Sequence, residues 1–217
     1  MINSIQIKVC GVTSTADAAF ADECGADHLG FNLYPKSPRH ISIAQYRSMA
    51  ARLPDRDHVA VTVDPVPAEL LAMRDAGFDR FQVHFRHDLP AATIEGWSRA
   101  VGAENLWLAP RLPPGVDVPA SWLGLSNAIL LDTFDPTLFG GTGRTGDWPK
   151  FRRHLEAHPG TTWILSGGLN PGNIGEALAE SGARFVDVNS GVESAPGVKD
   201  HAKLRGFFAA ARLAGGP

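Results

Sequence analysis

The chain has 217 residues, 44% of them hydrophobic, and a formal charge of -3. That length supports one full core in a single domain over residues 1–217. The charge balance excludes a general attraction to nucleic-acid backbones or anionic lipid.

Strand-like and helix-like segments alternate from end to end. The first apolar run, 5–9, leads into a helical pattern at 15–24, with Ser14 as N-cap and Gly25 closing the helix. Runs at 28–33, 58–63 and 80–84 are each followed by helical patterns, at 43–53, 68–76 and 91–101, with Ser42, Gly77 and Gly102 as end signals. The run at 106–109 is followed by "PRLPPGVDVPASWLG", too rich in proline for a full helix, so a loop with a short helix is expected there. Runs at 128–131, 162–165 and 185–188 complete the set. Their helices fall at 148–158 (capped by Asp147 and ended by Gly160), 173–181 (ended by Gly182) and 201–213. Eight strands at about 27 residues per unit favour a closed (β/α)8 barrel over an open doubly wound sheet.

Cys10 and Cys24, with no CxxC, form neither a disulfide framework nor a zinc knuckle. The start has no basic segment leading into an apolar one, and no apolar run is long enough to cross a bilayer. A reduced, cytoplasmic, water-soluble protein is expected. "KFRRH" (Lys150 to His154) reads as a solvated helix face, and His154 with His158 lacks a third metal ligand.

In such a barrel the loops after the strands carry the chemistry. Strand alternation puts Lys8 and Cys10 on one inward face, opposite Ile7 and Val9. A cysteine is more often a small packed hydrophobe, which is the reading for Cys24. For Cys10 the position and the inward ammonium favour a functional thiol. Lys8 is expected to lower the Cys10 pKa or, alternatively, to pair with Asp187, which shares the inward face of strand eight with Asn189. Asp132 tops a column formed by Ala128 and Leu130; desolvation there would raise its pKa and make it a proton donor near neutrality. The glycine-rich turns with Gly167 and Gly168, and with Asn189, Ser190 and Gly191, follow the last two strands. They are expected to hold phosphate, helped by the helix N-terminus after the first. "GTGRTG" fits GxGxxG but lies far past its strand, so it is read as a loop over the substrate, with Gly141 and Gly143 as contacts. His84 is either a substrate-side contact or a packed strand end.

Six ordered segments, "KVCGVT", "GADHLGFNLYPKSPRHIS", "LLDT", "GGTGRTGDW", "LSGGLNPGNI" and "VDVNSGVESAPGVKD", resemble the phosphoribosylanthranilate isomerase family over nearly the whole chain. The resemblance implies an Amadori rearrangement without metal or organic cofactor, in a monomer or homodimer acting on a small phosphorylated substrate. Asp132 would be the general acid at the furanose oxygen, Cys10 the general base at C2′, and Arg39 the guanidinium that binds the anthranilate carboxylate. Three positions depart from the family pattern: Phe85, expected near the barrel mouth, where a glycine is usual; Gly146, where an aromatic residue precedes the aspartate; and Asn189, usually serine. They motivate the alternative of a phosphate-binding barrel without turnover. Another phosphosugar isomerase or epimerase is a second alternative, but a metal-dependent epimerase would need inward histidines and carboxylates on several strand ends. A dual-substrate relative would be expected to carry a carboxylate where Cys10 stands.

Overall fold

A computed structural model describes residues 5–133 and 146–214. Eight parallel strands close into a barrel in sequence order: β1 (Gln6–Val9), β2 (His28–Asn32), β3 (Asp57–Val63), β4 (Arg80–Arg86), β5 (Leu106–Arg111), β6 (Ala128–Leu131), β7 (Thr162–Leu165) and β8 (Phe185–Val188). Around it lie α1 (Thr15–Cys24), α2 (Ile43–Ala50), α3 (Pro67–Arg74), α4 (Ala91–Val101), α5 (Trp148–Ala157), α6 (Ile174–Ser181) and α7 (His201–Ala214). Two short strands, β9 (Glu193–Ala195) and β10 (Val198–Lys199), form an antiparallel hairpin after β8. Among the described residues no helix is long and apolar enough to cross a membrane.

Local chemistry sets the element ends. Ser14 and Asp147 accept from Asp17 N and Lys150 N, and Ser42 forms a full capping box with Gln45. Gly25 and Gly182 close their helices in the left-handed conformation. Gly160 does not close α5: the helix ends at Ala157 with His158 as its C-cap, and Gly160 does not take a positive φ. In the fifth unit, the prolines leave a single 3-10 turn, Ala120–Trp122.

The strands sort their side chains by parity. Outward residues such as Leu29, Phe31, Val83, Leu108 and Val186 are fully buried beneath the helices. Inward, Cys10, Val59, Val61, Trp107, Leu130, Ile164 and Phe185 belong to a second cluster that fills the barrel. Phe85 belongs to the outer layer. It is wholly buried, packs on Trp97 and Trp122 with ring centroids 5.3 Å away in each case, and does not narrow the mouth. Its even-numbered neighbour His84 takes the inward place.

The basic run on α5 is only half a solvated face. Arg152 and Arg153 are exposed, but Lys150 and His154 are buried. Lys150 Nζ donates to Pro113 O at 3.3 Å; His154 donates from Nδ1 to Lys150 O and accepts from Val118 N–H at Nε2, at 2.9 and 3.2 Å. These contacts fasten the proline-rich fifth loop, which has no helix of its own, to α5.

The ring of strands is unevenly sealed. β1 and β8 share four registered pairs, whereas β7 and β8 share one, Leu165 with Val186.

Candidate active site

Lys8 and Asp187 face one another across the β1–β8 ladder, and Lys8 Nζ donates to Asp187 Oδ1 at 2.8 Å with both side chains inside the barrel. Gly30 on β2 makes room for that ammonium. A Cβ at Gly30 would stand 2.8 Å from Lys8 Cε and 2.9 Å from Nζ, against a lysine whose neighbours leave it nowhere to go. Gly30→Ala is therefore expected to cost about 1–3 kcal/mol and lower the thermal midpoint by several degrees. A midpoint equal to wild type in a melting curve would show that the interior is looser than this packing implies.

Cys10 sits one inward position above Lys8 and is 4% exposed. Burial pushes its thiol up, and Lys8 opposes this without overcoming it. The expected lowering by Lys8 is thus outweighed by desolvation, because the lysine's charge is already answered by Asp187. Across the barrel, burial raises the Asp132 carboxyl to about 7 despite a 2.7 Å hydrogen bond from Thr133 N–H. Burial likewise lowers His84 to about 4, so its imidazole is neutral. Gln82 Nε2 lies 2.8 Å from His84 Nε2; read with the amide donating, this places the ring proton on Nδ1.

The two glycine turns border a cavity of about 260 Å³, lined by Asp132, Ser166, Gly167, Gly168, Asn189 and Ser190 among others. Gly167 and Gly168 have φ of 99° and 62°, which a side chain would strain. A Cβ on Gly167 would collide with Thr133, and one on Gly191 with the carbonyl of Leu169, so the turns are packed on each other and on the Asp132 strand end. At the entry to α6 several amides are already engaged by Asn170. Asn173 N and Ile174 N donate to Asn170 O, and Gly172 N to Asn170 Oδ1. The backbone of the turn residues themselves is what the cavity offers an anion.

Asn189 turns its side chain the other way. Its Oδ1 accepts from Lys199 Nζ at 3.1 Å, passing over Gly11, where a Cβ would lie 2.6 Å from that oxygen. Arg39, in the loop after β2, is gripped by Glu193: Nε donates to Oε1 at 2.9 Å and Nη2 to Oε2 at 2.6 Å. A thiolate at Cys10 would stabilise the charges of both Arg39 and Lys199, which places these cations at the same end of the barrel. Asp132 also lines a second cavity of about 360 Å³ with Ser166, Gly146 and Lys150. Gly141 and Gly143 lie outside the described residues.

The family model described as N-(5′-phosphoribosyl)anthranilate (PRA) isomerase matches residues 7–210. This chain belongs to that family. It is 38% identical to N-(5′-phosphoribosyl)anthranilate isomerase of Pseudomonas fluorescens over 214 residues, 97% of this chain and 100% of the relative. It superposes on phosphoribosyl anthranilate isomerase of Thermus thermophilus with a TM-score of 0.78, at 33% identity, covering 95% of this chain and 98% of the other. A further PRA isomerase structure, in complex with reduced 1-(o-carboxyphenylamino)-1-deoxyribulose 5-phosphate, matches at a TM-score of 0.75 and 31% identity, with 96% and 99% covered.

Two residues at this end of the barrel escape the sequence analysis, Glu193 and Lys199. A signal was present in "ESAPGVK": two short runs about a Pro-Gly turn read as a hairpin, and a hairpin sets its first and last residues face to face. Ser166, inward at the end of β7 and bordering both cavities, is likewise missing from the site residues expected from the sequence.

Proposed function

We propose that the chain, as one (β/α)8 domain, converts N-(5′-phosphoribosyl)anthranilate to 1-(2-carboxyphenylamino)-1-deoxyribulose 5-phosphate, with Asp132 as acid and Cys10 as base. The observation that carries this reading is the carboxyl held near pKa 7 on the wall of the cavity bordered by the glycine turns. A ligand whose phosphate rests on Gly167, Gly168, Ser190 and Gly191 presents its ribose to that carboxyl. Asp132 gives its proton to the ring oxygen while the nitrogen lone pair opens the C1′–O bond, forming a Schiff base. The Cys10 thiolate then removes the C2′ proton, and the electrons return to nitrogen as an enolamine that tautomerises to the ketone. Every step moves a proton or an electron pair within the substrate, so these residues suffice without a cofactor. Arg39 takes the anthranilate carboxylate; its Nε and Nη2 are held by Glu193, and Nη1 has no hydrogen-bond acceptor among the described residues. The neutral imidazole of His84 is a donor to a sugar oxygen.

Two unpaired thiols suit a reducing cytoplasm. A PRA isomerase of Thermotoga maritima is described as dimeric, and a homodimer is one of the two assembly states we propose for this chain, the monomer being the other.

The purified protein is expected to abolish the fluorescence of phosphoribosylanthranilate, and to do so equally after dialysis against a chelator. Fluorescence that persists while the phosphorylated ligand still binds would identify a barrel that holds its ligand without turning it over. Activity lost with the chelator would overturn the cofactor-free chemistry.

A further inference from the structure

Behind Arg39 lies a charge arrangement that no step of the proposed reaction uses. The β9–β10 hairpin pairs Glu193 with Lys199, and their side chains are 4% and 0% exposed. Glu193 serves two cations at once: Arg39, through the bonds already described, and Lys199 Nζ at 3.1 Å. One carboxylate balances one of them. Two other acidic groups face Lys199: Asp187, which is already committed to Lys8, and the Cys10 thiol, which burial keeps protonated in the empty site. Asn189 Oδ1 and the Gly197 N–H complete the hydrogen bonding. Asp17 takes the backbone N–H of Lys199 and the ring of His201. Lys203, exposed, adds a further cation at Glu193 O. Burial works against the Lys199 charge while Glu193 supports it. The Glu193 carboxyl is itself opposed by burial, yet Arg39 and Lys199 hold it below the usual carboxylate range. A buried cation without its own counterion is costly unless an anion arrives.

The hairpin is built to keep this arrangement. Thr13, past β1, donates to Gly197 O at 2.5 Å, and a side chain at Gly197 would press on Thr13, so the hairpin tip docks against the first loop and lies beside Arg39. The ends of β1, β2 and β8 are tied together around one carboxylate and two cations.

We propose that Lys199 is a positioning residue that selects for charge: by sharing Glu193 with Arg39 it leaves one unbalanced positive charge at the aryl end of the site, which demands a carboxylate on the substrate ring. Lys199 does not touch the substrate; it acts through Glu193 and Arg39. The inference rests on the reading of Arg39 as the carboxylate contact.

The test compares binding of reduced 1-(o-carboxyphenylamino)-1-deoxyribulose 5-phosphate with that of its phenylamino counterpart lacking the carboxylate, by calorimetry. A wild-type preference for the carboxylated ligand tests the Arg39 reading, and its absence would overturn that reading. Given the preference, Lys199→Met is expected to shrink it by roughly ten- to a hundredfold, the range for removing one partly buried charge several ångströms from an anion. The other ligand should bind as before. Lys199→Gln keeps hydrogen-bond donors without the charge and is expected to behave like Lys199→Met, which covers the case in which the methionine variant fails to fold. The double variant Glu193→Gln/Lys199→Met carries Arg39 alone, again one unbalanced charge, and should recover the preference. A merely structural lysine would not be rescued by losing a second hydrogen-bonding partner. An undiminished preference in Lys199→Gln, or no recovery in the double variant, would overturn the proposal.

Discussion

Asp132→Asn is expected to lower kcat by about 10²–10⁴ while leaving KM close to wild type. The amide fits the same space and still accepts from Thr133 N–H, the bond the carboxylate now makes at 2.7 Å. What it lacks is a proton that can be given to oxygen. The same substitution should stabilise the fold at alkaline pH, and the sign follows from the shift. The carboxyl titrates at about 7 in the folded chain, through burial, and at about 3.9 in an unfolded one. Its raised folded value favours the fold at low pH, and this contribution is lost as pH rises from about 4 to 7; above 7 the folded state carries a buried, ionised group. Asparagine has no such cost. Its thermal midpoint should therefore exceed wild type at pH 8.5, by an amount corresponding to about 2–4 kcal/mol, and the advantage should fade toward pH 4. A variant with near-normal turnover, or a midpoint below wild type at pH 8.5, would remove Asp132 from this role.

Cys10→Ala is expected to cost a similar factor, about 10²–10⁴ in kcat. The thiol begins, at about 8.5, above the carboxyl, and burial pushes it higher still. The productive pairing of thiolate with protonated carboxyl is then the minority form, a few per cent of the empty protein at most. A pH–rate profile should accordingly rise through about 7, hold, and fall only at the thiol value. Alkylation rate against pH, in a Cys24→Ala background, reads the Cys10 pKa directly and should give a value above that of a free thiol. In the proposed reaction the iminium formed by ring opening would place a positive charge near the sulfur and favour the thiolate. A thiol that titrates below neutrality, or a Cys10→Ala variant with ordinary rates, would end the assignment of the base.

The architecture was legible in the sequence because its cause is local. β-branched and apolar runs bounded by Ser, Asp and Gly end signals placed each of the eight barrel strands within two residues at either end, though not the β9–β10 hairpin, and four prolines announced the missing helix after β5. Parity also put Lys8, Cys10 and Asp132 inside. It failed for Phe85 only where it was not applied: the residue two past Val83 had to point outward. The rest depended on distances that no spacing encodes. Whether Lys8 or burial governs Cys10 is a competition of magnitudes, decided by the 2.8 Å contact that commits the lysine to Asp187. The buried turn of Lys150 and the inward capping by Asn170 arise from neighbours 37 and 3 or 4 residues away. Glu193 gripping Arg39 joins positions 154 apart.

The thin joint between β7 and β8, one registered pair, lies directly under the two turns that border the cavity beside Asp132. A dianion seated there would touch both banks of this joint and rivet it shut. Ligand binding and mechanical completion of the cylinder become one event, and the occupied molecule should resist opening at this joint more than the vacant one.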